Sequence, residues 1–162
     1  MSTNKKIKIA IITSRFNEEI TEKLKSGSLE RLAECGIKND QLMVVDVPGA
    51  GEIPLIVKMC AKQKKYDAII CLGSVIRGET SHYDCVCEQV SRGCQKVMLE
   101  YNIPVIFYVL MTENIAQALD RVGGAHGHKG RDAVDAALEM ITLMNQLHVD
   151  ETAVEYKTVH HG

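Results

Sequence analysis

Between Leu72 and Asp84 the chain reads LGSVIRGETSHYD, which gathers Arg77, Glu79, Thr80, Ser81 and His82 around Gly73 and Gly78. The apolar run Ala68–Leu72 precedes it and reads as a buried strand; a helical pattern resumes after it. A glycine-bearing turn from a strand into a helix leaves backbone N–H groups unpaired and aimed at one point, with the helix dipole behind them. That arrangement suits a phosphate or another anion. His82 stands beside it, and imidazole is the side chain best able to exchange a proton near neutral pH. An anion cradle with a proton donor at its edge is the expectation of an active site.

Other candidates carry more than one reading. Phe16 is one of only two phenylalanines and follows a strand, so it serves either as a core plug or as a ring for stacking. Glu52 either favours a helix dipole or holds a polyol hydroxyl. Arg121 is a dipole partner at a helix end, or a phosphate ligand whose own loop offers no cradle. His126 and His128 flank Gly127, but no Cys or carboxylate lies at ligand spacing, which argues against a metal. Lys129, between His128 and Gly130, is expected to be exposed.

Strands alternating with helices must position these groups. Ile7–Thr13 is the first strand, followed by a helix with Asn17 as N-cap, Glu18 and Glu19 in its first turn, and Gly36 at its end. Leu42–Val47 is the second strand, with a loop Pro48–Glu52 and a helix to about Lys64. After the central loop come a helix over Tyr83–Tyr101, a fourth strand over Val105–Leu110 and a shorter helix from Thr112. A glycine-rich break over 123–130 leads into a final helix carrying Val134, Leu138, Ile141 and Met144. The alternation predicts one three-layer α/β/α domain with a four-stranded parallel sheet, spanning 1–162 with its core over about 7–147 and a frayed tail over 148–162. In such sheets ligands bind beyond the carboxyl ends of the strands, where Ser14–Asn17, Pro48–Glu52 and Gly73–His82 converge.

Composition narrows the class. The chain has 162 residues, 46% apolar and 25% charged, enough for one ordinary core. A net charge of −2 gives no reason to expect nucleic acid or an anionic membrane as partner, and no apolar run approaches the ~20 residues of a membrane span. The N-terminal apolar run is short and broken by Lys8, so it reads as a strand and not as a leader, and a cytoplasmic location is expected. The six cysteines include no C-x-x-C pair and are expected to be reduced. No G-x-x-x-x-G-K-[ST] occurs, no G-x-G-x-x-G follows the first strand, and Ser-Arg-Phe-Asn stands where a phosphorylatable receiver domain wants acids.

Taken in order, S-R-F-N, V-P-G-A-x-E-I-P, K-Y-D-A-I-I-C-L-G-S-V-I-R-G-x-T-x-H-Y-D, P-V-I-F, T-E-N-I-x-Q-A-x-x-R and G-x-K-G resemble the lumazine synthase family from about Ile7 to Leu147. The resemblance implies a flavodoxin-like fold and a transferase of riboflavin biosynthesis. Such an enzyme condenses 5-amino-6-(D-ribitylamino)uracil with 3,4-dihydroxy-2-butanone 4-phosphate to give 6,7-dimethyl-8-ribityllumazine, phosphate and water, without metal or organic cofactor. It further implies that Phe16 stacks on the pyrimidine, with Asn17 and Lys129 in the same subsite, and that Ala50, Gly51, Glu52, Ser74, Val75 and Ile76 hold the ring edge and ribityl chain. Glu79 (through its backbone N–H) and Thr80 would bind phosphate with Arg121, His82 would transfer protons, and Phe107 and Arg121 would come from a neighbouring subunit of a pentamer.

Three departures from the family pattern stand out. Gly51 replaces a common aromatic, Tyr108 a glycine, and His128 the asparagine of G-N-K-G. The short Arg121–Gly130 connection resembles shell-forming members, whereas only six residues precede the first strand, which favours an isolated pentamer. The alternative function is a non-catalytic flavin- or lumazine-binding homologue of the same fold.

Overall fold

The computed structural model describes residues 6–161, with side chains for residues 6–148. Four parallel strands form one sheet in the order β2-β1-β3-β4: β1 is Ile9–Ser14, β2 Leu42–Val47, β3 Ala68–Ile76 and β4 Val105–Thr112. Every residue of β1 is buried, because the strand lies inside the sheet and both faces are covered. This is why its sequence is a continuous apolar run and not an alternating one.

The helices α1 (Glu18–Glu34) and α5 (Lys129–His161) cover one face, with the short α4 (Ile115–Leu119) beside them. On α1 the stripe Ile20, Leu24, Gly27, Ser28 and Leu32 is buried at helical spacing. The other face carries α2 (Ile53–Lys62) and α3 (His82–Tyr101), packed through Val57, Val90, Cys94 and Val97. This is the three-layer, flavodoxin-like arrangement. The expected fraying over 148–162 falls on residues whose side chains lie almost wholly outside the described set.

Gly73 and Gly93 are set by contact, not by turns. A Cβ on Gly73 would lie 2.7 Å from the Ser14 Oγ, and one on Gly93 would lie 2.7 Å from Pro54, where α3 crosses α2. Gly73 therefore does not open the central loop: β3 runs through it to Ile76, and the loop starts at Arg77. Gly36, at φ +82°, ends α1 in the left-handed conformation that favours glycine.

The glycine-rich break is more ordered than a loop. Val122–Gly124 (β5) and Gly127–His128 (β6) form a small antiparallel hairpin. His128 locks it against the body of the domain. Its ring occupies the space a Cβ on Gly27 would need, and its Nδ1 accepts the backbone N–H groups of Gly130 (3.2 Å) and Arg131 (3.4 Å) at the start of α5. The Ser28 hydroxyl donates to the Gly130 carbonyl at 2.6 Å, tying α1 to the same turn.

Candidate functional site

The parallel ladder continues past the strand ends and draws three connections together. Beyond β1, the N–H of Arg15 donates to the Val47 carbonyl (2.8 Å) and that of Phe16 to the Pro48 carbonyl (3.1 Å). This seats Phe16 beside the β2 connection with its side chain 70% exposed, which excludes the core-plug reading. Asn17 then takes a left-handed φ of 63° and its side chain makes no N-cap bond. Instead its Nδ2 donates to the carbonyl of Ser74 on β3 at 2.8 Å. The expected capping role is thus replaced by a bond across the sheet's rim.

The second wall is a 3-10 turn over Ala50–Glu52, held by Glu52 N–H to Gly49 carbonyl at 3.2 Å. Ala50 is buried against Ile53 and Val57, whereas Gly51 and Glu52 face solvent. A Cβ on Gly51 would meet nothing within 4 Å. Tyr108 does not fill that space. It packs with the α1/α5 core, whereas Ala50 and Phe107 lie on the α2/α3 side.

The third wall is the end of β3 and the segment that follows. Ser74 is buried, Val75 and Ile76 are half-buried, and Glu79, Thr80 and His82 are exposed. The N–H of His82 donates to the Thr80 hydroxyl at 3.3 Å, and Ser81 provides no side-chain cap to α3. Among the described residues no side chain caps the N–H groups of α3 that follow His82, which suits an anion. The hydroxyls of Thr13, Ser14 and Ser74, at the same ends of β1 and β3, are buried without a hydrogen-bond partner among the described residues.

Arg77, given no role by sequence reasoning, is the most heavily bonded side chain at this rim. Its Nε donates to Glu113 at 2.5 Å, its two terminal nitrogens face Asp84 at 3.5 and 3.4 Å, and its guanidinium lies 4.4 Å above the Tyr83 ring. The bond to Glu113 is the main influence raising its pKa above the ordinary arginine value. Burial pushes the Tyr83 hydroxyl and the nearby Cys87 thiol up as well. No sequence signal joins residues so far apart as Arg77 and Glu113.

The remaining predicted residues lie elsewhere on the chain. Phe107 pairs with Cys71, three residues before the Leu110–Ser74 pair, which puts it about 10 Å down the edge strand from the rim. Arg121 lies two residues beyond α4, its Nη1 donating to the Gln117 carbonyl at 2.7 Å. Among the described residues it makes no hydrogen bond or ion pair with Glu79, Thr80 or His82. The hairpin does join Arg121 to Lys129, whose N–H donates to the Arg121 carbonyl at 2.7 Å. Lys129 pairs with Asp132 at 3.7 Å, and among the described residues no group of three or more His, Cys, Asp or Glu forms a candidate metal site.

Comparison with known proteins bears on this arrangement. The family model described as 6,7-dimethyl-8-ribityllumazine synthase matches residues 6–145. The chain is 52% identical over 149 residues to the 6,7-dimethyl-8-ribityllumazine synthase of Coxiella burnetii strain CbuG_Q212, a match covering 92% of this chain and 99% of that protein. Proteins of the same name from strains RSA 493 / Nine Mile phase I and Dugway 5J108-111 match at the same identity and coverage.

Proposed function

From the premise that the chain belongs to the 6,7-dimethyl-8-ribityllumazine synthase family, we infer that the rim at the carboxyl ends of β1, β2 and β3 is its active site. The reaction is the condensation of 5-amino-6-(D-ribitylamino)uracil with 3,4-dihydroxy-2-butanone 4-phosphate to 6,7-dimethyl-8-ribityllumazine, phosphate and water, a step of riboflavin biosynthesis. The observation that carries the assignment to the rim is the Asn17–Ser74 bond, which ties the connection bearing the exposed Phe16 to the strand that leads into the segment bearing Thr80 and His82.

Phe16 stacks on the pyrimidine, while the Ala50–Glu52 turn and the backbone of Ser74–Ile76 take the ring edge and the ribityl hydroxyls. Asn17 keeps the two walls at fixed spacing. The phosphate sits at the open start of α3, against the Glu79 N–H and the Thr80 hydroxyl. His82, the first residue of that helix, moves protons as the amine adds to the ketone and water departs, a contribution on the order of 10²–10⁴-fold. Phosphate departure gains from backbone donors and an arginine that meet the developing charge. Holding two substrates against one rim supplies much of the remaining acceleration.

The chain works as a pentamer in which a neighbour supplies Phe107 and Arg121. Two features support this: among the described residues Arg121 has only the Gln117 carbonyl as side-chain partner, and Phe107 lies well below its own rim on an edge strand. Light scattering is expected to give five subunits; an active monomer would defeat the shared site. The protein works in the cytoplasm, a reading its six free thiols support. No helix among the described residues is long and apolar enough to cross a membrane.

Incubation with both substrates, followed by lumazine absorbance and fluorescence, tests the reaction. Absence of product at micromolar enzyme would overturn it in favour of a non-catalytic binder, a reading that no observation here favours.

A further inference from the structure

The segment from Gly78 to Ser81 carries little that would hold its own shape. Its residues are exposed, a Cβ on Gly78 would meet nothing within 4 Å, and among the described residues its one side-chain bond is that donated by the N–H of His82 to the Thr80 hydroxyl. Backbone donors that bind phosphate are useful only when they already point at one place, since ordering them on binding costs affinity. Something outside the segment must fix it.

Arg77 is placed to do so. Its N–H donates to the Thr112 carbonyl at 2.9 Å, which anchors the start of the segment to the end of β4. Its guanidinium then reaches across the segment to Asp84 and Tyr83 in the first turn of α3, and sideways to Glu113 just beyond β4. Both ends of the segment are thereby tied to each other and to the sheet. A single exposed ion pair holds little. Here one planar fork is shared between two carboxylates and lies over a ring, so holding the arginine for one partner also holds it for the others.

We propose that Arg77 is a positioning residue: with Asp84, Glu113 and Tyr83 it clamps the Gly78–His82 segment into the shape that receives the phosphate of the butanone substrate. The proposal rests on reading that segment as the phosphate site. In this proposal Arg77 acts as the clamp and not as the phosphate ligand, since three of its five N–H groups are already directed at carboxylates. That distinction has a counter-intuitive outcome. Removing a carboxylate beside an anion site ordinarily tightens anion binding, because a like charge is lost. Under the clamp, removing Asp84 or Glu113 frees the arginine and loosens the segment, so binding weakens.

The experiment uses Asp84→Asn, Glu113→Gln, Arg77→Lys and Arg77→Ala in the full-length enzyme. It reads steady-state kinetics for each substrate and amide hydrogen exchange over residues 78–82. Each variant is expected to raise KM for the butanone phosphate about 3- to 10-fold, a loss of about 0.7–1.4 kcal/mol. KM for the pyrimidine stays unchanged, and exchange over the segment accelerates. Arg77→Lys keeps the charge but not the fork, and is expected to behave like Arg77→Ala.

A lowered or unchanged KM in Asp84→Asn and Glu113→Gln overturns the clamp, as does full retention by Arg77→Lys, which marks a simple charge contact. Should Arg77→Ala fail to fold, the two near-isosteric acid variants still decide the matter. Inorganic phosphate added to the wild-type enzyme separates the underlying reading from the proposal. Failure to slow exchange over 78–82 would remove the phosphate site while leaving the variants' effect on segment mobility intact.

Discussion

The Asn17 side-chain amide donates to the carbonyl of Ser74 at 2.8 Å, across 57 residues of sequence and between the connection that follows β1 and the end of β3. An asparagine suits this position twice, because it tolerates the left-handed backbone at φ 63° and still carries a donor. Asn17→Gly keeps the first property and removes the second. It is expected to cost about 0.5–1.5 kcal/mol of stability and to raise KM for the pyrimidine by several-fold with little change in KM for the phosphate substrate. Denaturant melts and kinetics on each substrate check this; an unchanged pyrimidine KM would separate the bond from the site.

Gly51 is glycine without a steric or conformational reason, since a Cβ there meets nothing within 4 Å. Gly51→Phe is therefore expected to fold normally and to add a ring to the pyrimidine subsite. An aromatic contact contributes about 0.5–1.5 kcal/mol, so KM for the pyrimidine should fall roughly 2- to 10-fold. A rise instead would mean that the open space is occupied in the assembled enzyme.

His82→Ala and Arg121→Ala should fail in different ways. Loss of the imidazole should lower kcat on the order of 10²–10⁴-fold with pyrimidine binding near normal. Loss of the guanidinium should raise KM for the butanone phosphate by about 10- to 150-fold, the worth of a charge-assisted hydrogen bond. Equal effects on both Michaelis constants in Arg121→Ala would count against phosphate binding.

The α1–α5 face predicts an acid limb to stability. Hydrogen bonds from Arg131 and then Arg31 hold the Glu34 carboxyl below its ordinary value of 4.5. A carboxyl depressed on folding stabilises the native state above its unfolded value, and that contribution is lost as pH falls through the folded value. Tm should therefore decline as pH drops below about 4.5, less steeply in Glu34→Gln and less steeply at high salt. A slope unaffected by the substitution would show that other carboxylates set the acid limb.

Much of this was legible beforehand, and the exceptions have physical causes. β2 runs over Leu42–Val47 as its apolar β-branched run predicts, and Gly36 ends α1. Both signals are local. Gly73 misled because glycine marks either a turn or a close approach, and only the Ser14 hydroxyl across the sheet decides between them. Asn17 looked like a cap because the acceptor that claims it lies on another strand. The hairpin of β5 and β6 is too short for any periodicity, and the partners of Arg77 come from two different elements. What the sequence withheld was the spatial pairing of distant side chains.

The strand order β2-β1-β3-β4 also bears on how the enzyme is made. Every pairing in this sheet joins strands that are distant in sequence, and each demands closure of a long crossover before any ladder bond forms. The rim needs β1 beside β2 for Phe16, β1 beside β3 for Asn17, and β3 beside β4 for Arg77. A chain emerging from the ribosome thus carries no fraction of its activity in proportion to its length. The rim is complete only after Thr112 and Glu113 have been synthesised and β4 has docked, and in refolding activity should return no earlier than the slowest sheet-forming phase and the subunit assembly that follows it.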